Sequence, residues 1–289
     1  MTVAGGNGQG RELSQFFCPC GIYVDDDEQC IYVTDCLNRG VVQWKYGAKI
    51  GQLVTSGNSS LSNYVNQPTD VIVDRFSNSL IICDWGNKRV IQWSRRNTMI
   101  VRAIISDIDC WGVAIDSIGD LYISDSKKHE VRRWEIGQPT GKLVAGGNGQ
   151  GDQLNQLNNP THLFVDNELS IYISDNYNHR VMKWEKDAKE GIVVAGGNGP
   201  GISLTQLHYP QGVIVDHMGH IYVADSGNHR IVRWLQGSTE GQIIVGGNGK
   251  GRESNQFSGI DGLSFDRQGN IYAVDWNNYR VQKFETIFT

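Results

Sequence analysis

The residues I-Y-V-A-D-S-G-N-H-R-I-V-R-W, from Ile221 to Trp234, carry the clearest pattern in this 289-residue chain. Four residues alternate as in a strand, an Asp-Ser-Gly-Asn turn follows, and a second apolar strand ends at a tryptophan. Similar copies occur at Ile31–Trp44, Ile81–Trp93, Leu121–Trp134, Ile171–Trp184 and Ile271–Phe284. A repeat of about 40–50 residues that holds several short strands is typical of a propeller.

Each copy predicts a four-stranded antiparallel blade, whose strands we call a to d in chain order. In the fifth copy we expect them at Gly212–Asp216, Ile221–Ala224, Arg230–Trp234 and Gln242–Val245. Short turns rich in Gly, Asn and Asp suit antiparallel connections. No window of the sequence has a convincing helical period.

The first and last copies of the repeat do not coincide with the boundaries of the predicted blades. The sixth copy has no strand d, whereas residues 2–8 repeat the strand d and Gly-rich loop of the other copies. We therefore expect Thr2–Ala4 to pair with strand c near Arg280–Phe284 and to close the ring. The sequence predicts an all-β fold, a six-bladed β-propeller of four-stranded antiparallel blades, with residues 1–289 as one domain.

Composition narrows the class of partner. The chain has 26 basic and 31 acidic residues and a net charge of −5, which argues against bulk electrostatic binding to nucleic acid or to an anionic membrane. No apolar run reaches the roughly 18–20 residues of a membrane span. Met1–Gly10 resembles the repeat rather than a signal peptide. The chain is therefore expected to be cytosolic or trimmed from a longer precursor.

The tripeptides Asn178-His179-Arg180 and Asn228-His229-Arg230, with Tyr-x-x-Asp before them and Trp after them, are similar to the NHL repeat. The resemblance covers essentially the whole chain and implies a six-bladed β-propeller. Functions in this family range from RNA- and protein-binding platforms in tripartite-motif proteins to an amidating lyase. The resemblance therefore predicts the fold and leaves the function open.

Two repeated features are better explained by structure than by chemistry. The turn aspartate and the arginine five residues later, such as Asp225 and Arg230, predict a clamp in which Asp accepts turn N–H groups and Arg bridges neighbouring blades. The Gly-Gly-Asn-Gly loops at Gly5, Gly146, Gly196 and Gly246 lack the following helix that a phosphate loop needs. They are interpreted as turns with positive φ.

The lyase relatives imply a zinc ion in the central channel, bound by histidines at the start of the inner strands. The matching pairs here are Cys20/Gly21, Thr69/Asp70, Trp111/Gly112, Thr161/His162, Gln211/Gly212 and Asp261/Gly262. Only His162 is a histidine, whereas a catalytic zinc usually has three protein ligands. We therefore expect no enzyme, no metal and no cofactor. An enzyme using Asp70, His162 and Asp261 is the alternative.

Five of the six cysteines fall at one end of blades one to three. Cys18, Cys20 and Cys110 precede strands a, and Cys36 and Cys83 end strands b. Either they are thiols, or they form one or two disulfides, which would indicate an oxidising compartment. Of the pairings, we expect Cys83 with Cys110, with Cys18 or Cys20 to Cys36 as the alternative. The sequon Asn58-Ser59-Ser60 is weakly consistent with an extracellular location, which otherwise stays unknown.

The face formed by the d–a loops and b–c turns also collects aromatic residues outside the repeat pattern, namely Trp85, Trp111, Tyr177, Trp276 and Tyr279. Exposed aromatics at turns suggest a contact surface. We predict a monomeric, non-catalytic scaffold that presents this face and the channel mouth, with Asp70, His162, Gln211 and Asp261, to a protein or peptide.

Single-stranded RNA is the alternative ligand. The aromatics and a basic set, Lys88, Arg89, Lys127, Lys128 and Arg132, favour it. The acidic net charge opposes it.

Overall fold

The computed structural model describes residues 1–55, 64–96, 101–135 and 137–285. These form two compact units, Met1–Ile108 with Gly251–Thr289, and Asp109–Lys250. Each unit contains three four-stranded antiparallel sheets. The predicted all-β fold with six four-stranded blades is confirmed. That the chain is a single domain stays a prediction.

The first unit holds blades one, two and six. Blade one has β2 (Pro19–Asp25), β3 (Cys30–Asp35), β4 (Gly40–Lys45) and β5 (Gln52–Leu53). Blade two has β6 (Pro68–Asp74), β7 (Ser79–Asp84), β8 (Arg89–Ser94) and β9 (Val101–Ser106). Blade six has β22 (Ile260–Phe265), β23 (Ile271–Asp275), β24 (Arg280–Phe284) and the N-terminal β1 (Thr2–Gly5).

The second unit holds blades three, four and five. Blade three has β10 (Cys110–Ile115), β11 (Leu121–Asp125), β12 (Glu130–Trp134) and β13 (Lys142–Gly146). Blade four has β14 (Pro160–Val165), β15 (Ile171–Asp175), β16 (Arg180–Trp184) and β17 (Ile192–Gly196). Blade five has β18 (Pro210–Val215), β19 (Ile221–Asp225), β20 (Arg230–Trp234) and β21 (Gly241–Gly246).

The prediction for blade five was correct for strand c, and the other strands agree to within two residues. Strand a begins at Pro210 rather than Gly212, because the Pro210–Asp225 pair joins the ladder across a bulge. Strand b is buried along its whole length, which explains the nearly continuous apolar run I-Y-V-A-D.

Helical structure within the described residues is limited to four 3₁₀ turns between strands b and c. They are Trp85–Asn87, Asn176–Asn178, Ser226–Asn228 and Trp276–Asn278. The residue that follows each turn has a positive φ of 51–56° and lies in the left-handed region. None of these segments is long and apolar enough to cross a membrane.

Strand β1 completes blade six, as the offset of the repeats predicted. Thr2 pairs with Gln282, Ala4 with Val281, and Gly5 with Arg280. Ala4 is buried in an apolar cluster that also includes side chains of blades six and one. The first residues of the chain therefore supply the outer strand to the last blade.

The core of each unit lies between neighbouring blades. Most strand c tryptophans are almost fully buried there, with Trp44, Trp93, Trp184 and Trp234 at most 2% exposed. A tryptophan ring is large enough to contact both blades at once, which holds adjacent sheets in register. The loops at one end of the blades are thus fixed on a rigid base.

Candidate functional site

The turn aspartate of each blade organises the end at which the d–a loop meets the b–c turn. In blade five, Asp225 Oδ1 accepts the His208 N–H at 2.7 Å. Its Oδ2 accepts Asn228 Nδ2 at 2.8 Å and Arg230 Nε at 2.7 Å. Asp225 is fully buried, so these donors replace the water that it loses. Burial still raises its pKa, against the hydrogen bonds that lower it.

The arginine completes the clamp by reaching the incoming loop. Arg230 Nη1 donates to the carbonyl of Ile202 at 2.8 Å, and Nη2 to those of Ser203 and Gln206 at 3.0 and 3.2 Å. Arg180 and Arg280 make the same set of bonds in blades four and six. The repeated Asp and Arg therefore form a structural clamp, but the N–H that Asp225 accepts belongs to the incoming loop and not, as predicted, to the turn.

The inner strands of the first unit approach each other closely where they begin. Thr34 Oγ1 accepts the Gly21 N–H at 2.7 Å and donates to the Thr69 carbonyl at 3.2 Å. A Cβ at Gly21 would lie 2.6 Å from Asp70 Cα, so this position needs glycine. Asp70 and Asp261 are 7% and 6% exposed.

The second unit repeats this arrangement. Ser124 Oγ accepts the Gly112 N–H at 2.8 Å and donates to the Thr161 carbonyl at 2.6 Å. His162 is 6% exposed. Gln211 has a buried Oε1 that finds no donor among the described residues. Since His162 and Gln211 belong to one unit and Asp70 and Asp261 to the other, a shared channel-mouth site stays a prediction.

Most of the predicted aromatic residues are less exposed to solvent than expected. Trp85, Trp111, Trp276 and Tyr279 are only half-buried, so the expectation of exposed rings was wrong for them. The Trp276 ring lies over Gly259, where a Cβ would be 2.7 Å from the ring atom Cε2. The 3₁₀ turn places this ring against the incoming loop instead of in solvent. Tyr177, which is 54% exposed, fits the prediction.

Tyr177 belongs to a cluster of rings between blades four and five. Its ring meets that of Tyr209 edge-on at 6.0 Å, and Tyr209 in turn contacts His179 at 4.8 Å and His208 at 4.6 Å. Tyr209 is 43% exposed. We call these four residues the Tyr/His cluster. One signal in the sequence pointed to Tyr209: it is an aromatic residue just before strand a, where other blades carry Asn159 or Gln67.

His179 fixes the base of this cluster. Its Nδ1 accepts the Tyr209 N–H at 3.1 Å, just as His129 Nδ1 accepts the Asn159 N–H at 3.0 Å. Burial lowers the pKa of His179, and the neighbouring His208 lowers it further. Both effects favour the neutral imidazole that the hydrogen bond requires. The repeat histidine thus links one blade to the loop of the next, which the sequence analysis missed.

Most of the basic residues that favoured RNA are engaged within the chain. Arg89 pairs with the buried Asp84 at 2.7 Å, and Arg132 with Glu130 at 2.6 Å. Lys128 lies 3.5 Å from Asp125. A phosphate backbone would have to compete with these carboxylates.

Three cysteines of blade one lie together. Cys20 Sγ donates to the Cys18 carbonyl at 3.4 Å, and the Cys36 N–H donates to the same carbonyl at 3.2 Å. Hydrogen bonds from the thiols of Cys20 and Cys36 lower the pKa of Cys18, and the same contacts raise the pKa values of those two donors. Asp261 is close enough to raise both further. We call these three residues the thiol cluster.

The predicted disulfide would join a residue of each unit. Cys83 lies near the end of β7 in the first unit, Cys110 begins β10 in the second, and both side chains are buried. Their pairing stays a prediction about the oxidised protein. The sequon at Asn58 lies outside the described residues.

The NHL repeat family matches residues 207–234. This segment contains the Asn-His-Arg tripeptide of blade five, and its strand pattern recurs in all six sheets. The match and the six four-stranded sheets together support an NHL-repeat β-propeller. No curated protein sequence matches this NHL-repeat propeller.

Solved structures resemble the NHL-repeat propeller in fold at low sequence identity. An auxiliary nutrient binding protein from Bacteroides thetaiotaomicron has a TM-score of 0.74 at 16% identity, over 93% of this chain and 69% of its own. A gluconolactonase from Xanthomonas campestris has 0.69 at 12%, over 92% and 85%. A chain of the nidogen/laminin complex has 0.63 at 14%, over 78% of each. A binding protein, an enzyme and a chain of a protein complex thus share this fold.

Proposed function

We propose that this NHL-repeat propeller is a non-catalytic binding protein that holds a protein or peptide partner on its d–a/b–c face. The exposed Tyr/His cluster carries the proposal. Its two tyrosines combine apolar area with a polar hydroxyl, as residues at the centre of protein interfaces often do. The partner would contact Tyr177 and Tyr209 directly, while His179 and His208 hold the rings from below.

The rigidity of the cluster supports this proposal. The backbone N–H of Tyr209 donates to His179 Nδ1 at 3.1 Å. Tyr177 lies in a short 3₁₀ turn, and its own backbone N–H donates to the Asn158 carbonyl at 3.1 Å. Rings that are fixed before binding lose little conformational entropy when a partner docks.

The surroundings of the predicted catalytic residues also support a binding role. Asp70, His162 and Asp261 are each at most 7% exposed. Neighbouring polar groups such as Thr34 and Ser124 are used to join inner strands. A substrate would have little access to these carboxylates or to the imidazole.

A displayed library of random peptides, selected against the intact protein, tests the proposal. We expect enriched peptides that bind with a dissociation constant at or below about 10 µM, the weak end of specific recognition. The double variant Tyr177→Ala, Tyr209→Ala should weaken binding at least tenfold, because both ring contacts are lost.

Met218→Ala is the matched control. Met218 is 55% exposed in the a–b turn of blade five, at the other end of that blade. This variant should bind the selected peptides like the parent. The proposal would be contradicted if the enriched peptides bound the tyrosine variant as tightly as the parent. It would also be contradicted if the protein bound a single-stranded RNA pool in a salt-sensitive way and bound no peptides.

A further inference from the structure

Blade one has a cavity where its sister blades have an arginine. Arg180, Arg230 and Arg280 begin strand c in blades four to six, but the same position in blade one is Gly40. A cavity of about 420 Å³ lies there. Its lining includes Arg11, Glu12, Gln15, Asp35, Asn38 and Leu53.

Blade six shows what this cavity is shaped to hold. Arg280 Nε donates to Asp275 Oδ2 at 2.9 Å, and Nη1 donates to the Arg252 carbonyl at 2.7 Å. Nη2 donates to the carbonyls of Glu253 at 2.9 Å and Gln256 at 3.0 Å. The corresponding residues of blade one are Asp35, Arg11, Glu12 and Gln15, and all four line the cavity.

The loop of blade one has kept the conformation that presents these acceptors. The Gln15 N–H donates to the Glu12 carbonyl at 2.8 Å, as the Gln256 N–H does to the Glu253 carbonyl at 3.1 Å. Asn38 Nδ2 donates to the Gly10 carbonyl at 2.7 Å, as Asn278 Nδ2 does to that of Gly251 at 2.8 Å. The acceptors are therefore preorganised although their arginine is missing.

Asp35 keeps the two uncharged hydrogen-bond donors of the clamp but has no arginine beside it. Its Oδ1 accepts the Phe17 N–H and its Oδ2 accepts Asn38 Nδ2, both at 2.7 Å. The carboxyl is 2% exposed, and burial raises its pKa to about 7. A buried carboxylate without a cation favours any ligand that restores the missing charge.

We propose that this cavity binds a guanidinium group, supplied by an arginine side chain of a protein partner. In blade six the corresponding acceptors, one carboxylate and three carbonyls, all bind one guanidinium, and such a divided set matches its fork of five N–H donors better than the compact ammonium of lysine. The loop Arg11–Gln15 and the turn Leu37–Arg39 belong to the d–a/b–c end of blade one. That the guanidinium comes from a partner rests on the proposed function, whereas the site itself does not.

The charged groups around Asp35 determine how binding depends on pH. Arg11, Arg39 and Glu12 line the cavity and are exposed, and Cys18 lies close enough to raise the Asp35 pKa. Guanidinium remains charged, so it should bind more tightly at pH 8, where Asp35 is ionised, than at pH 5.5, where the carboxyl is mostly protonated.

Methylguanidinium chloride tests the site, with methylammonium chloride at equal ionic strength as the matched control. We expect a saturable rise in melting temperature, about 2–4 °C at ten times the dissociation constant, at pH 8 and with methylguanidinium only. Absence of a saturable difference between the two salts would overturn the proposal.

Gly40→Arg fills the cavity from within the chain. A Cβ at Gly40 would lie 2.6 Å from Leu53 Cδ1, the end of a side chain that is 44% exposed and can move. The variant should melt above the parent and show no further rise with methylguanidinium. Asp35→Asn should also abolish the rise, which keeps the test valid if Gly40→Arg does not fold. A rise that survives in both variants would overturn the proposal.

Two further arms identify the source of the guanidinium. Arg39→Ala should respond like the parent, and a response seen only in this variant would mean that Arg39 itself fills the cavity. A capped Gly-Arg-Gly peptide should compete with methylguanidinium, whereas Gly-Lys-Gly should not. If methylguanidinium binds but the arginine peptide does not compete, the proposal that a partner supplies the arginine is wrong. Peptide binding at the Tyr/His cluster is tested separately by the tyrosine substitutions.

Discussion

The side chain five positions after each turn aspartate distinguishes blades that are otherwise built alike. In four blades it is an arginine, and the buried carboxylate has a cation beside it, as at Arg89 and Asp84. Blade one has Gly40 and blade three has Glu130 at this position. In blade three, Lys128 lies 3.5 Å from the turn aspartate Asp125 and supplies a cation from another position. In blade one, the single change to glycine leaves the buried Asp35 without a counter-charge.

Arg230→Ala should be strongly destabilising. It removes four hydrogen bonds and leaves Asp225 buried without its ion-pair partner, which lowers the free energy of unfolding by about 3–5 kcal/mol. Urea unfolding followed by tryptophan fluorescence measures the change. Arg252→Ala is the control, because that side chain is exposed, and a similar loss there would contradict the clamp.

The free energy of unfolding should depend on pH through Asp35, and this dependence should be absent from the variant Asp35→Asn. Its folded-state pKa of about 7 lies above the ordinary value of 3.8, so the folded chain holds a proton that the unfolded chain has lost within this window. Stability from this group is present at low pH and falls as the pH rises from about 4 to 7, by about 1.4 kcal/mol per pH unit.

Unfolding of the parent and of Asp35→Asn, compared at pH 5 and pH 8, isolates this contribution from that of the histidines. The parent should lose stability relative to the variant as the pH rises. Parallel curves would show that Asp35 does not titrate in this range.

The thiol cluster should form a disulfide when a thiol oxidant is supplied. With diamide, Cys36 and either Cys18 or Cys20 lose two protons and two electrons, two S–H bonds break, one S–S bond forms, and diamide is reduced to its hydrazine. Alkylation followed by peptide mapping under non-reducing conditions identifies the pair. Cys30, which is buried in another apolar cluster, should stay alkylatable after denaturation. Full alkylation of all three cluster thiols would contradict the prediction.

At the scale of elements, β1 joins the two ends of the chain in one sheet. Besides the strand pairs, the Gly6 N–H donates to the Tyr279 carbonyl at 2.9 Å and the Lys283 N–H to that of Met1 at 2.8 Å. The bonds extend beyond the strand on both sides. This explains how blade six has four strands although its own copy of the repeat encodes three.

Deletion of residues 1–8 should lower the melting temperature by about 5–10 °C or more. The deletion exposes the edge of β24 and removes the buried Ala4 from its cluster. Differential scanning calorimetry measures the effect, and Thr2→Ala is the control because Thr2 is exposed. A deletion variant that melts like the parent would show that β1 does not seal blade six.

At the scale of the whole molecule, the six blades should differ in local stability although they share one architecture. Blade one lacks the arginine clamp that blade five has, so its b–c turn should open more often. Amides of residues 35–39 should exchange with deuterium at least about tenfold faster than those of residues 225–229, equivalent to about 1.4 kcal/mol. Mass spectrometry after pulsed labelling measures both, and Gly40→Arg should slow exchange in blade one. Equal rates in the two turns of the parent would contradict the prediction.

The candidate site was predicted only in part. Tyr177 was identified because an exposed aromatic in a turn breaks the repeat, and the structure agrees. Trp276 was selected by the same reasoning, but its ring packs over Gly259, because a glycine has no side chain to occupy that space. The spacing of residues in the sequence does not show which of the two turn aromatics packs on a loop in this way.

The sequence by itself determined the blade count, the strand order and the closing strand, because period-two alternation and the copied turns are local signals that recur in register. Only the tertiary structure showed that Tyr209 and His208 join Tyr177, and that the loop before blade one still presents the acceptors of an absent arginine. These facts depend on residues about 30 positions apart in the chain, such as His179 and Tyr209. The packing of the blades decides which side chains from distant parts of the chain come into contact. The repeat pattern cannot show this, because it is the same whether or not a side chain such as Asp35 has its arginine partner.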